Sequence, residues 1–157
     1  MIFRGAISDD LPQITNLYRA AIGTPGCTWS ENYPGSFELE HDFASGNLYV
    51  LSEGETVVGA VSVVSPNELD SAYAWEEQNA KEIARVVISR DYGGRGLAVQ
   101  MLHRLFEKLK QEGCDAIHLS AACCNHAAIK TYRRLGFSFL AQADLYGNRY
   151  YLCEKKL

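Results

Sequence analysis

The sequence predicts a mixed α/β domain in which antiparallel strands at both ends flank one strand–helix–strand crossover. Three observations carry this prediction. Short β-branched runs alternate with segments of helical period. Strand candidates at both ends follow one another across short turns. Between them, a glycine-rich turn joins a strand to a long amphipathic helix. With 157 residues, 47% hydrophobic and 22% charged, the chain suits a single domain over 1–157 with a real core.

Ile2–Ala6 alternates apolar and polar residues as a first strand. Ser8, Asp9 and Asp10 offer cap oxygens, and Leu11, Ile14, Leu17, Tyr18, Ala21 and Ile22 recur at helical spacing. Pro12 is tolerated in the first turn, and Gly23, Pro25 and Gly26 stop the helix. Cys27–Gly35 reads as a loop. A short helix is expected over Phe37–Ala44 with Ser36 as its cap, then a hairpin of Leu48–Glu53 and Thr56–Ser65 around Gly54. Asn67–Asn79 has no period and reads as a substrate-side loop or a partly helical insertion. Glu82–Ser89 is the fourth strand, and Asp91–Gly96 the glycine-rich turn. Leu97, Met101, Leu102, Leu105, Phe106 and Leu109 mark a helix stopped by Gly113. Ala116–Ala121 is the fifth strand, His126–Leu135 a helix ended by Gly136. Phe137–Ala141 and Arg149–Glu154 are the last strands, joined through Asp144–Asn148.

The composition excludes some function classes. Fifteen Lys and Arg against nineteen Asp and Glu give a net charge of −4, which argues against nucleic acid and anionic membranes as partners. No apolar run reaches the length of a signal peptide or a membrane span. The five cysteines are odd in number and follow no framework spacing. Free thiols in a reducing cytoplasm are the expectation.

Gly93, Gly94 and Gly96 follow a strand and precede a helix. The first amides of that helix lack intrahelical partners and its dipole is positive there, so a pyrophosphate suits the turn. Glycines also occupy such turns for geometry alone. The string GGRGLA matches neither the Walker pattern nor G-x-G-x-x-G.

Two blocks together resemble the GCN5-related N-acetyltransferase (GNAT) superfamily. The first is Gly93-Gly94-Arg95-Gly96-Leu97-Ala98, similar to the family's pyrophosphate loop, with Gly93 standing where Gln or Arg is usual. The second is HLSAACCNHAAIKTYRRLGF, which places Asn125, Ala128, Tyr132, Gly136 and Phe137 in a strand, Asn and Tyr-x-x-x-Gly-Phe arrangement. The resemblance implies a central, mostly antiparallel sheet that splays between its fourth and fifth strands, flanked by helices. It implies acetyl-CoA in that opening, bound by Gly93–Ala98, by the edge of the fourth strand at Val86, Val87 and Ile88, and by Asn125 and Tyr132. The implied activity is acetyl transfer to the primary amine of a small molecule. A protein or peptide amine, or a non-catalytic acyl-CoA sensor, stays open as an alternative. Homodimers are common in the family, and the resemblance places no interface.

Acetyl transfer needs a neutral amine, a polarised thioester and a proton for the departing thiolate. Tyr132 matches the family's leaving-group tyrosine; packing into the core is its other reading. Glu82 resembles the base glutamate of one branch of the family, or is a solvated strand start. In a regular strand it would share a face with Ala84, Val86 and Ile88, and Arg85 would face the other way. Asn125 could also cap the helix that follows it. Trp29, Tyr33, Tyr73 and Trp75 lie in irregular segments and are candidates to line an acceptor pocket, or equally to form a plain cap over the sheet edge. Cys123, Cys124 and His126 lack an orienting carboxylate for nucleophilic catalysis. With His118 they lack zinc-site spacing, so no metal is expected.

Overall fold

The computed structural model describes all 157 residues. The chain runs β1 (Ile2–Gly5), α1 (Leu11–Ala21), α2 (Ser36–Ala44), β2 (Leu48–Glu53), β3 (Thr56–Val64), β4 (Ala80–Ile88), α3 (Leu97–Gln111), β5 (Ala116–Ala122), α4 (His126–Arg134), β6 (Ser138–Leu145) and β7 (Asn148–Lys156). All seven strands form one sheet in the order β1-β2-β3-β4-β5-β7-β6. Only β4 and β5 are parallel, because α3 makes the crossover between them.

The amphipathic helices cover both faces. On one side Met101, Leu102, Leu105 and Phe106 of α3 and Tyr132 of α4 pack with Leu51, Val58, Ile83, Ile117 and Leu119 in a cluster of 20 buried residues. On the other, Ile14 and Tyr18 of α1 and Leu39 of α2 pack on Leu48, Val50, Ala60 and Val87. The loop between β3 and β4 is irregular; its Leu69 and Trp75 close over Leu152.

Two irregularities shape the centre of the sheet. The β4–β5 ladder pairs Ala80–Glu82 with Ala116–His118 and stops, although β4 runs on to Ile88 and β5 to Ala122. The strands part just beyond Glu82. On the opposite edge, the β3–β4 register slips between Ala60↔Val87 and Ser62↔Ala84, with Arg85 at a φ of 53°. One extra residue in β4 is a bulge, and it inverts the alternation beyond it. Val86 and Ile88 therefore pack with the α3 cluster alongside Ile83, while Glu82, paired with Val64, lies on the α1–α2 face. The regular-strand expectation for Arg85, Val86 and Ile88 fails for this reason.

At the C-terminus the last hairpin is longer than the sequence predicts, since β6 extends to Leu145. Its turn is tight: Tyr146 and Gly147 take φ values of 51° and 79°, both left-handed as a two-residue hairpin turn requires. The short helix α2 begins at Ser36, one residue early, and the Glu38 carboxylate accepts the Gly35 amide at 2.9 Å.

Candidate active site

The glycine-rich turn lies between β4 and α3. Gly94 and Gly96 adopt φ values of 73° and 69°, which side chains rarely take, and a Cβ at either would meet nothing within 4 Å. Protein packing does not demand glycine there; the backbone conformation does, and the approach from outside stays clear. The Gln100 amide donates to the Gly96 carbonyl at 3.1 Å, so the amides of Leu97, Ala98 and Val99 lie ahead of the first intrahelical bond. Arg95 sits over the Tyr92 ring at 5.0 Å, and the Tyr92 hydroxyl donates to Glu53 at 2.7 Å, anchoring the turn. Beside it, Gly96, Val99, Gln100, His103, Arg104 and Glu107 line an open groove of about 490 Å³.

Asn125 caps α4, its side chain accepting the Ala128 amide at 3.1 Å. The loop after α1 presses on this cap: a Cβ at Gly26 would stand 2.5 Å from Asn125 Cα. Tyr132 is 8% exposed and its ring meets Phe137 edge-on at 5.6 Å. Burial, and then the neighbouring Cys153 thiol, push its hydroxyl above the ordinary tyrosine value, so it holds its proton. The ring is part of the core cluster with Phe137, which is the packing reading of Tyr132.

Glu82 stands where β4 and β5 part and is 5% exposed. Its Oε2 accepts the amides of Glu68 at 2.6 Å and Leu69 at 3.0 Å. Burial pushes its carboxyl up, the two amides draw it back, and the charges of Glu68 and Asp70 push it up again; the result is a raised value. Across the ladder lies His118, whose Nε2 meets Glu154 Oε2 at 2.7 Å.

Of the four aromatic candidates for the acceptor pocket, two are buried or half-buried in packing. Trp75, 6% exposed, stacks on His118 at 3.9 Å and donates from Nε1 to the Leu69 carbonyl. Trp29 packs edge-on to Tyr18 at 5.4 Å. Tyr33 and Tyr73 are exposed, at 42% and 36%; Tyr73 leans edge-on against Trp75.

Sequence reasoning missed the strut that holds Tyr33. Arg85 donates from Nε and Nη2 to the two oxygens of Asp42, at 2.8 and 2.9 Å, and from Nη1 to Tyr33 Oη at 3.0 Å. Ser62 Oγ donates to Asp42 at 2.6 Å. Burial works to lower the Arg85 guanidinium, but the hydrogen bonds and charge of Asp42 outweigh it and the value is raised. Tyr146, at the tip of the β6–β7 turn, also went unseen; its hydroxyl donates to Glu68 Oε2 at 3.4 Å.

All five cysteines are free, and no helix is long and apolar enough to cross a membrane.

Comparison with known proteins places this architecture. A curated relative from Pseudomonas aeruginosa, an L-methionine sulfoximine/L-methionine sulfone acetyltransferase, is 25% identical over 147 residues, 90% of this chain and 82% of its own. An Arabidopsis thaliana N-alpha-acetyltransferase MAK3 is 36% identical over 55 residues, 35% of this chain and 29% of that protein. Among solved structures, a GNAT family acetyltransferase from Streptococcus agalactiae superposes with a TM-score of 0.85 at 23% identity, covering 99% of this chain and 95% of the other. A phosphinothricin acetyltransferase from Sinorhizobium meliloti in complex with AcCoA superposes at 0.78 with 21% identity, over 99% and 88%. Residues 12–137 match the Acetyltransferase (GNAT) family. With the parted fourth and fifth strands, the glycine turn and this match in agreement, the chain belongs to the GNAT acetyltransferase family.

Proposed function

We propose that residues 1–157 form one acetyl-CoA-dependent N-acetyltransferase domain whose acceptor is the primary amine of a small molecule. The observation that carries this reading is the parting of β4 and β5 beyond Glu82, with the glycine turn following β4 directly. The free amides after Gly96 and the left-handed glycines fit a pyrophosphate. In this reading, Gly93, Gly94, Arg95, Gly96, Leu97 and Ala98 hold the phosphates. The unpaired β4 edge at Val86, Val87 and Ile88 takes the pantetheine amides, and Asn125 orients them. When bound, the cofactor supplies an acetyl group activated as a thioester.

The protein's own residues manage the protons. Glu82 accepts the proton of the incoming ammonium; its raised carboxyl is a better base than an ordinary glutamate while its amide contacts keep it in place. Tyr132 keeps its proton at Oη and offers it to the leaving thiolate. The small-molecule reading draws on the relative that matches 90% of the chain, named for two amino-acid derivatives. The candidate acceptor-side residues are held in place: Tyr33 is tethered by Arg85, and Trp75 donates to the Leu69 carbonyl. Five free thiols suit the cytoplasm.

A thiol-release screen with acetyl-CoA against amino acids, diamines, aminoglycosides and peptides tests the proposal. Transfer to a small amine supports it. Transfer confined to peptides moves the acceptor class, and tight coenzyme A binding with no transfer across the panel would point to a sensor.

A further inference from the structure

We infer that the acceptor is a small polycation, an amine whose chain carries a second ammonium group and no carboxylate. This rests on the acceptor reading above and comes from the charges around Glu82. The carboxylates Glu38, Glu68, Asp70 and Glu82 act on one or another of Tyr33, Glu82 and Tyr146, and the cation Arg85 acts on Tyr33. That cation is already used. Its side chain is 7% exposed, both oxygens of Asp42 accept from it, and its remaining contact is the Tyr33 hydroxyl.

Glu68 is differently placed. It is exposed, its backbone amide is 2.6 Å from Glu82 Oε2 at the point where the strands part, and its charge is felt at Glu82. Its own Oε2 accepts from the Tyr146 hydroxyl at 3.4 Å, long enough to yield to a stronger donor. The exposed rings of Tyr33 and Tyr146 add faces on which an ammonium is stabilised. An amine at Glu82 with a second ammonium further along its chain meets Glu68 and two tyrosines. A carboxylate in that position meets two carboxylates and a guanidinium already neutralised. The field selects the former.

The assay compares three acceptors of one chain length: 1,4-diaminobutane, 1-aminobutane and 4-aminobutanoate. Each is tested with acetyl-CoA on the full chain. We expect kcat/KM to fall in that order, by about tenfold or more between the first and the last. Glu68→Gln should cut the diamine-to-monoamine ratio several-fold, mainly through KM. Rising ionic strength should cut it in the parent protein too. Because Glu68 is exposed and the hydrogen bond it gives Glu82 comes from its backbone amide, the variant should fold; its charge also acts on Glu82, so the monoamine rate is measured beside the ratio. Equal or better use of 4-aminobutanoate, or an unchanged ratio in Glu68→Gln, overturns the polycation inference while leaving the transferase reading intact. The same holds if amino acids or peptides are acetylated and diamines are not. Absence of transfer to every amine overturns both.

Discussion

Replacing Asp42 by Asn should destabilise the protein severely, and the size of the loss follows from the surroundings of Arg85. Asp42 is 1% exposed and the Arg85 side chain 7%, so solvent screens their interaction little. The carboxylate accepts two hydrogen bonds from Arg85 and one from Ser62. Asparagine keeps the shape and removes the countercharge, stranding a buried guanidinium. Breaking such a pair from one side costs about 3–5 kcal/mol. For a domain of this length that is a drop of roughly 6–20 °C in Tm. Thermal and urea melts should show the loss as a shifted midpoint at constant m. The double variant Asp42→Asn with Arg85→Met removes the stranded charge and should recover at least about 1 kcal/mol over the single change. A single variant within about 0.5 kcal/mol of the parent would refute the reasoning. So would a double variant less stable than Asp42→Asn alone, because then the guanidinium was never a burden without its partner.

Glu82→Gln should lower acetyl transfer at neutral pH and lose less at high pH, where more amine is already neutral; a pH–rate profile parallel to the parent's removes Glu82 from the mechanism. The same variant has a stability signature. Because the folded carboxyl is raised, its contribution is complete below the unfolded value and is lost as pH rises through the folded one. Glu82→Gln should therefore be the more stable protein at neutral pH, with the gap closing on acidification in parallel melts. Tyr132→Phe keeps the ring against Phe137 and should slow single-turnover transfer by about 10–1000-fold with coenzyme A affinity unchanged. An unaltered rate leaves Tyr132 a packing residue. Gly96→Glu should abolish coenzyme A binding by calorimetry. Gly96→Ala, strained at the same φ without the added charge, separates backbone strain from blockade of the turn.

The parts legible in the sequence are those set by local chemistry. The order of strands and helices followed from period, and α3 and α4 begin at Leu97 and His126, within a residue of where turn and cap residues place them. Asn125 caps its helix because an amide side chain before a free helix end has little else to do. The glycine turn was readable for the same reason. What stayed hidden depends on residues far apart in the chain. Asp42 and Arg85 are separated by 43 positions, and their meeting depends on the bulge that turns Arg85 towards α2. Nothing in the string EIARVVI announces that bulge, since an arginine at positive φ is held by its tertiary partners. The His118–Glu154 contact spans 36 positions and needs the β5–β7 register. Trp75 shows the converse: an aromatic in a loop reads equally as pocket lining or as a cap, and only the folded-back loop that stacks the ring on His118 decides where it sits.

The central claim is that this fold moves an acetyl group from a thioester to an amine, and stoichiometric product analysis tests it most directly. The full chain is incubated with acetyl-CoA and a panel of small amines. Free thiol and acetylated amine are then quantified together by mass spectrometry. The account predicts one new amide for each coenzyme A thiol released, with both products falling in step in Glu82→Gln at neutral pH and in Tyr132→Phe. Thiol released without amide, or no turnover by a well-folded protein that binds coenzyme A tightly, would contradict it.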